Sequence, residues 1–458
     1  MKDSNDDGLS LIEVLIAVVI FSVIALGVAF TVASTLRVAD QAQAREQAAN
    51  LAAQDIDLDR SIDNLFDLYS DNYDTVVNGT TFHVARTASW VTDGTVNQRC
   101  GTGGGVLRYK RVNVDVTWDG MTSTTAPVQS DTLIDPGTRI NDQTHGTILV
   151  SVVGSAGTGT SGVTVTATPS ATPNGATALT SAPDPTDPEG CTYILSVTPG
   201  NYDVKISRAG YVDVNQSATA TVTVGVQAAG AASVGFQFDQ SGNLTTSYAS
   251  NYSGSVLTPS NLPTSFVSTY GTYTATTPVT ASGVNLYPFP SGYKVLAGQY
   301  VDPATAGGGC AAPDPSQWSA GTALNNTTVL AGNAPSTPVT PGGSAAAAVP
   351  MGVFTVKSIA AGVYVTAVQL SGPAASGDPG CAAADASPTT YTYKFPATTS
   401  STKNFALPWG TYKIYTSTLF GILTTRVATA NLTTITGSGG TNSSNGGTLT
   451  LDPRAVAP

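Results

Sequence analysis

Between Val14 and Leu36 the chain carries no charged residue. At 1.5 Å per residue that run makes roughly 35 Å of helix, enough to cross the hydrocarbon core of a bilayer. One acid, Glu13, stands at its N-terminal edge, and a polar leader, MKDSNDDG, precedes it. A chain with such a segment must bury it in lipid or against other protein.

A secretory signal fits poorly. It has a basic leader, a short apolar core and a small-residue cleavage site behind that core. Here Lys2 faces Asp3, Asp6 and Asp7, and the run continues into a helical pattern. A plain membrane anchor explains the length but not Glu13, since a lone carboxylate gains nothing from lipid. The residues Gly8-Leu9-Ser10-Leu11-Ile12-Glu13-Val14-Leu15 resemble the class III signal of type IV prepilins and type II secretion pseudopilins. Leucine stands at residue 9 where phenylalanine is commonest, and the leader is acidic where a basic one is commonest.

The resemblance implies cleavage between Gly8 and Leu9 by a membrane aspartyl peptidase, and N-methylation of Leu9. It makes Glu13 the assembly residue. The helix waits in the cytoplasmic membrane, then packs among other pilin subunits in an extracellular filament. A buried carboxylate without a partner costs several kcal/mol. The N-terminal amine of a neighbouring subunit would neutralise Glu13, which would set the register of assembly. The blander reading is that Glu13 only marks the membrane interface.

The chain has 458 residues, room for about two to four domains. Only 11% are charged and the net charge is −11, which argues against nucleic acid and anionic lipid as partners. Gly, Ser, Thr, Ala and Pro dominate after residue 70, as in short strands joined by turns. Residues 37–69 favour continued helix, with Leu51, Ile56 or Leu58, Ile62, Leu65, Phe66 and Tyr69 forming a stripe that should pack on a sheet. Asp55, Asp57, Asp59 and Asp63 invite a calcium reading, but on a helix they fan around the axis, so a solvated face is expected.

Strand patterns follow at residues 80–86 and 110–118, the latter alternating strictly from Val112 to Trp118 before an Asp119-Gly120 turn. A long helix plus such a sheet resembles minor pilins and pseudopilins over residues 1–135. Thr132 to Thr144 reads as a linker. Short strands are expected at 148–152, 163–167, 193–197, 202–206 and 220–224. The phrase VTPGNYDVKISRAGY, Val197 to Tyr211, resembles the signature of carboxypeptidase-regulatory-like, or transthyretin-like, β-sandwich domains. LPWGTYKIY, Leu407 to Tyr415, echoes it, and FPSGYKVLAGQY, Phe289 to Tyr300, does so more weakly.

The expected fold is therefore an α+β pilin module, a long N-terminal helix plus antiparallel sheet, followed by all-β sandwich domains. Its segments are a leader at 1–8, the core helix at 9–36, a pilin-like globular module at 37–135 and a transthyretin-like sandwich at 144–240. A β-rich module at 241–349 and a C-terminal sandwich at 350–458 complete it, with Pro335 to Pro350 as a linker.

Cys100, Cys191, Cys310 and Cys381 form no C-x-x-C pair, and an even count outside the membrane suggests two disulfides. Three pairings are possible. The repeat suggests Cys100–Cys191 and Cys310–Cys381, each stapling one module to the next. His83 and His145 stand alone, and there is no G-x-S-x-G elbow, Walker loop or dinucleotide fingerprint. Gly103-Gly104-Gly105 lacks a lysine and a following helix. The acids of Asp184 to Gly190 could ligate calcium, but the prolines favour an ordinary loop. No enzyme activity, cofactor or metal is expected.

Three functions fit. The chain is a minor pilin whose bulk suits a filament tip, presenting β-sandwiches to an extracellular surface ligand. Alternatively it is a secretion pseudopilin contacting cargo, or an anchored surface protein that never enters a filament.

Overall fold

The computed structural model describes residues 11–91, 97–98, 100, 107–122, 125–136, 140, 143–300, 314–370, 376–380, 391–435, 442–445 and 447–458. Gly8, Leu9, the glycine run 103–105, Cys310 and Cys381 lie outside them. The chain forms two compact units. The first holds Met1–Ser151, Thr166–Val204 and Val222–Gly235; the second holds Val152–Val165, Lys205–Thr221 and Phe236–Pro458.

One helix, α1 (Leu11–Arg60), opens the first unit and spans 50 residues. It ends nine residues before the expected Tyr69. The sequence Ser61-Ile62-Asp63-Asn64 explains the stop, because short polar side chains compete for the backbone. Asn64 accepts from the Phe66 amide and caps a short 3-10 turn, Leu65–Asp67, instead.

The sheet beside α1 comprises β1 (Asp71–Val77), β2 (Thr80–Val91), β3 (Asn97–Gln98), β4 (Tyr109–Trp118) and β5 (Val128–Ile134). Its order is β1-β2-β4-β5, with β3 paired to β2. Asn78 and Gly79 turn β1 into β2 with φ of 52° and 84°, angles a tight hairpin needs and Asn-Gly supplies. Along β4 every second residue, Lys110 through Trp118, is buried. Val112, Val114 and Val116 pack with Phe82 and Val84 against Ala48, Ala52 and Ile56 of α1. The alanines keep the helix close to the sheet. Leu58, the alternative stripe residue, points outward and is 56% exposed.

The expected linker at Thr132–Thr144 begins later than read, since Thr132 to Ile134 still pair with β4. A disulfide joins Cys100 to Cys191 with Cα atoms 5.4 Å apart, across 91 residues of sequence. It ties the connection between β3 and β4 to the strand beginning at Cys191. Closing so long a loop restricts the unfolded chain, so replacing both cysteines by serine should cost about 2–4 kcal/mol. Denaturant unfolding in detergent would read it; an unmoved midpoint would remove any stabilising role for the bridge.

The next strands are β6 (Gly146–Val153), β7 (Thr164–Pro169), β8 (Cys191–Val197), β9 (Gly200–Ser207), β10 (Tyr211–Asp213), β11 (Thr219–Val226) and β12 (Ala231–Gln240). They form a four-stranded sheet, β10-β12-β6-β8, and a three-stranded sheet, β11-β9-β7. Tyr202, Val204 and Ile206 of β9 are fully buried, as the alternation requires. The Tyr202 hydroxyl donates to the Thr198 carbonyl at 2.9 Å and accepts from the Thr177 amide at 3.1 Å. Gly200 makes the turn between them; a Cβ there would sit 2.6 Å from the Pro173 carbonyl oxygen.

The second unit repeats this device. Tyr412 is fully buried and its hydroxyl donates to the Pro408 carbonyl at 2.9 Å, again four residues back. Gly410 has φ of 143° and Gly200 of 150°. The weaker copy differs: Tyr293 donates to Tyr287, six residues back, at 2.6 Å. The expected linker at Pro335–Pro350 is not one. Ser344–Val349 is a strand, paired in parallel with Gly242–Tyr248 from Asn243↔Ser344 to Tyr248↔Val349. Ala347 and Val349 point into the core while their neighbours face out. Pairing overrides alanine's weak strand preference.

Candidate assembly helix and its anchorage

Among the described residues the first half of α1 has no protein partner. Its apolar stretch is exposed throughout. Phe21 is 72% exposed and Phe30 78%. Three of its hydroxyls bond back along the helix: Ser22 donates to the Val18 carbonyl, Thr31 to Gly27 and Thr35 to Thr31, at 2.7–2.9 Å. Such back-bonding suits a helix in an apolar medium, where an open hydroxyl is costly. Glu13 lies in the first turn of α1, where an acid also favours the helix dipole.

Docking starts at Gln41. Its amide donates to the Gly120 carbonyl at 2.9 Å, and its carbonyl accepts from the Trp118 indole at 3.3 Å. Trp118 ends β4 and Gly120 completes the expected Asp119-Gly120 turn, so the end of this central strand sets where the free helix begins.

The far end of α1 is pinned by charge. Asp55 and Asp59 are buried, contrary to the expected solvated face; Asp57 and Asp63 are exposed. Four residues apart, Asp55 and Asp59 share the face that carries Ala48 and Ala52. Arg86 of β2 reaches both: Nη1 lies 2.7 Å from Asp59 and 3.6 Å from Asp55, and Nη2 lies 3.9 Å from Asp71. Nε donates to the Tyr69 carbonyl at 3.2 Å. Tyr73 donates its hydroxyl to Asp55 at 3.2 Å.

One guanidinium therefore serves two buried acids. Burial lifts the Asp59 pKa to about 6, with Arg86 opposing and Asp55 adding to the rise. Burial and the neighbouring Asp55 push Tyr73 up to about 12. The folded chain thus holds the Asp59 proton more tightly than the unfolded one. This group's contribution is full below about pH 4, shrinks as pH rises and is gone above about 6. Wild type should gain thermal stability between pH 7 and pH 5 relative to Asp59→Asn. Parallel melting curves for the two would contradict the assignment.

A second buried charge locks the start of the sheet. Lys110 of β4 donates to the Leu65 and Leu68 carbonyls and lies 5.1 Å above the Trp90 ring. Burial lowers its pKa to about 8, with Glu189 and Asp187 resisting. Glu189 accepts from the Ser70 amide at 3.1 Å, and Trp90 donates to the Tyr193 hydroxyl at 3.2 Å.

The loop leading into Cys191 is a brace. Asp187, Glu189 and Cys191 offer ligand-type atoms within 4.8 Å of one another. However, Asp187 accepts from the Glu189 and Cys191 amides at 2.9 and 2.8 Å. The Cys191 sulfur is already in the disulfide. His83 is paired instead with Asp74 at 2.7 Å and Asp119 at 3.4 Å on the surface, and the hydrogen bond it donates to the Asp74 carboxylate raises its pKa most. His145 contacts the Thr144 hydroxyl at 3.0 Å.

Sequence reasoning placed Glu13 on the helix but missed Arg86. The available signal was an arginine within a strand pattern facing a helix whose acids recur every four residues.

No curated protein sequence matches this chain. Among solved structures, the Bacillus anthracis TIE protein aligns over 80% of this chain and 72% of its own. The identity is 10% and the TM-score 0.18, a likeness too slight to carry an argument. One family model matches, the prokaryotic N-terminal methylation motif, over residues 3–29. That span holds Gly8, Leu9 and Glu13 and runs into the exposed apolar helix, so the chain carries a type IV pilin-type prepilin signal at the head of α1.

Proposed function

We propose that this chain is a non-enzymatic minor subunit of a type IV pilus, placed at or near the filament tip. The observation that carries the reading is an apolar helix with no partner among the described residues, headed by a methylation motif and clamped to a large β-rich load. Prepilin peptidase would cut after Gly8, and Leu9 would become the methylated N-terminus. The free part of α1 would leave the cytoplasmic membrane for the core of a filament of pilins. Apolar side chains exposed in the monomer would be covered there by copies of the same surface.

The load favours the tip. Neighbouring pilins are closely stacked along a shaft, and more than 300 residues follow the pilin-like sheet, which ends at Ile134. Only an end position leaves room for them. The buried Tyr202 and Tyr412, each bonded four residues back across a glycine turn, support reading the modules around them as repeated transthyretin-like sandwiches. Such modules would present a binding surface outside the cell.

The test is the mature N-terminus and the place of the protein. Sequencing should return a chain starting at methylated Leu9, and immunogold label should collect at filament ends. A product that keeps Met1 sinks the prepilin reading. Label spread evenly along the shaft sinks the tip reading alone.

A further inference from the structure

Outside α1, the large exposed apolar residues are mostly scattered singly, as on any protein surface. Among the described residues the exception is a hairpin tip in the second unit. The strand Gly410–Ser417 leads into Thr418-Leu419-Phe420-Gly421-Ile422-Leu423-Thr424 and returns as Thr425–Arg426, with Thr416 opposite Thr425. Leu419 is 65% exposed, Phe420 51%, Ile422 51% and Leu423 47%.

The tip is built, not loose. Ser417 is buried; its hydroxyl accepts from the Leu419 amide and from the Thr424 hydroxyl, both at 3.0 Å. Gly421 turns the chain with φ of 74°. Phe420 stands edge-on to Tyr364 at 5.5 Å, and the Lys394 ammonium lies 5.9 Å from its ring. Holding four apolar side chains outward in a fixed turn is costly in water, so it implies a surface that receives them.

Charge identifies that surface. The whole chain is at −11, yet residues 386–451 hold Lys394, Lys403, Lys413 and Arg426 and not one acid. Lys394 and Arg426 sit at the hairpin itself. Tyr364 packs at its base, and Tyr415 pairs opposite Arg426. An apolar tip with Tyr364 and Tyr415 behind it and Lys394 and Arg426 beside it matches the layers of a lipid interface, from acyl chains outward to anionic headgroups.

We propose that the Leu419–Leu423 hairpin inserts into the surface of an anionic phospholipid bilayer. The local basic patch thus outweighs what the net charge alone suggested about lipid. The proposal deepens the presenting role given above, since the bilayer is the ligand that role requires. The assay needs no filament, so its failure leaves assembly untouched.

The test uses the full chain held by α1 in POPC nanodiscs and floated with vesicles of POPC, with or without added POPG. Wild-type discs should float with the POPG vesicles. Leu419→Ser/Phe420→Ser should lower the bound fraction about tenfold, since each buried apolar side chain drives insertion. Single Phe420→Ser should give a smaller loss, and a melting curve checks that both variants fold. Equal flotation of wild type and the double variant overturns the proposal. Equal flotation with pure POPC overturns the choice of an anionic surface. Discs that pair without vesicles through this tip would reassign it to contact between copies and overturn the proposal as well.

Discussion

Replacing Arg86 with methionine should destabilise the helix-to-sheet unit by about 3–5 kcal/mol, the cost of stripping the partner from a buried ion pair. Methionine keeps much of the side-chain volume, so the loss isolates the charge. Without the guanidinium, Asp55 and Asp59 face each other in a site where they are 2% and 0% exposed. Each already has one oxygen, Oδ2, without a partner among the described residues. The Tyr69 carbonyl would lose its donor as well. Lysine should rescue only part of this, because a point charge cannot reach two carboxylates and a carbonyl together. The decisive variant is Arg86→Met with Asp55→Asn and Asp59→Asn. Removing all three charges leaves polar amides in place of ions and should recover most of the stability. Urea unfolding in detergent, followed through tryptophan fluorescence, reads every variant. If Arg86→Met unfolds at the wild-type midpoint, the clamp carries no weight and another contact holds α1.

The parts legible in the sequence were those set by a single period or a single run. The uncharged stretch from Val14 to Leu36 fixed a helix, and Val112 to Trp118 fixed a strand facing a core. The methylation motif was local, and so was readable without the fold. Asn78-Gly79 was equally local and is a strong hairpin signal; overlooking it hid β1. The acids of α1 misled because four carboxylates look solvated until a strand supplies an arginine. Asp59 and Arg86 are 27 residues apart, and nothing short of the tertiary fold brings them to 2.7 Å. The alanines before Pro350 failed for a related reason. Their strand exists because Gly242–Tyr248 lies beside it, 100 residues away in sequence between Thr245 and Ala345. The hairpin at Leu419–Leu423 was visible as letters but not as a feature, since exposure is a property of the folded unit.

The second large effect concerns the other end of α1. Glu13→Ala should leave leader cleavage intact and cut the protein recovered in sheared filaments about a hundredfold. That loss corresponds to roughly 3 kcal/mol, a modest figure for one unpaired buried charge. The physical basis is the environment Glu13 must enter. In the membrane, one turn into α1, it can reach the headgroup layer. In a filament core it would be surrounded by the same apolar side chains that are bare in the monomer. There a carboxylate would be tolerable only beside a cation, and the amine that cleavage after Gly8 would leave on Leu9 of a neighbour would supply one. Alanine removes the acid and strands that amine, so the cost falls on the assembled state alone. Glu13→Gln is the sharper comparison. It keeps size and hydrogen bonding but no charge, and should resemble alanine more than wild type. Glu13→Asp keeps the charge on a shorter arm and should assemble partly. Membrane levels of all variants should match wild type, because the anchored form does not use the pair. If Glu13→Ala enters filaments as well as the parent chain, the acid marks only the membrane boundary, and register must come from packing along the rest of the exposed helix.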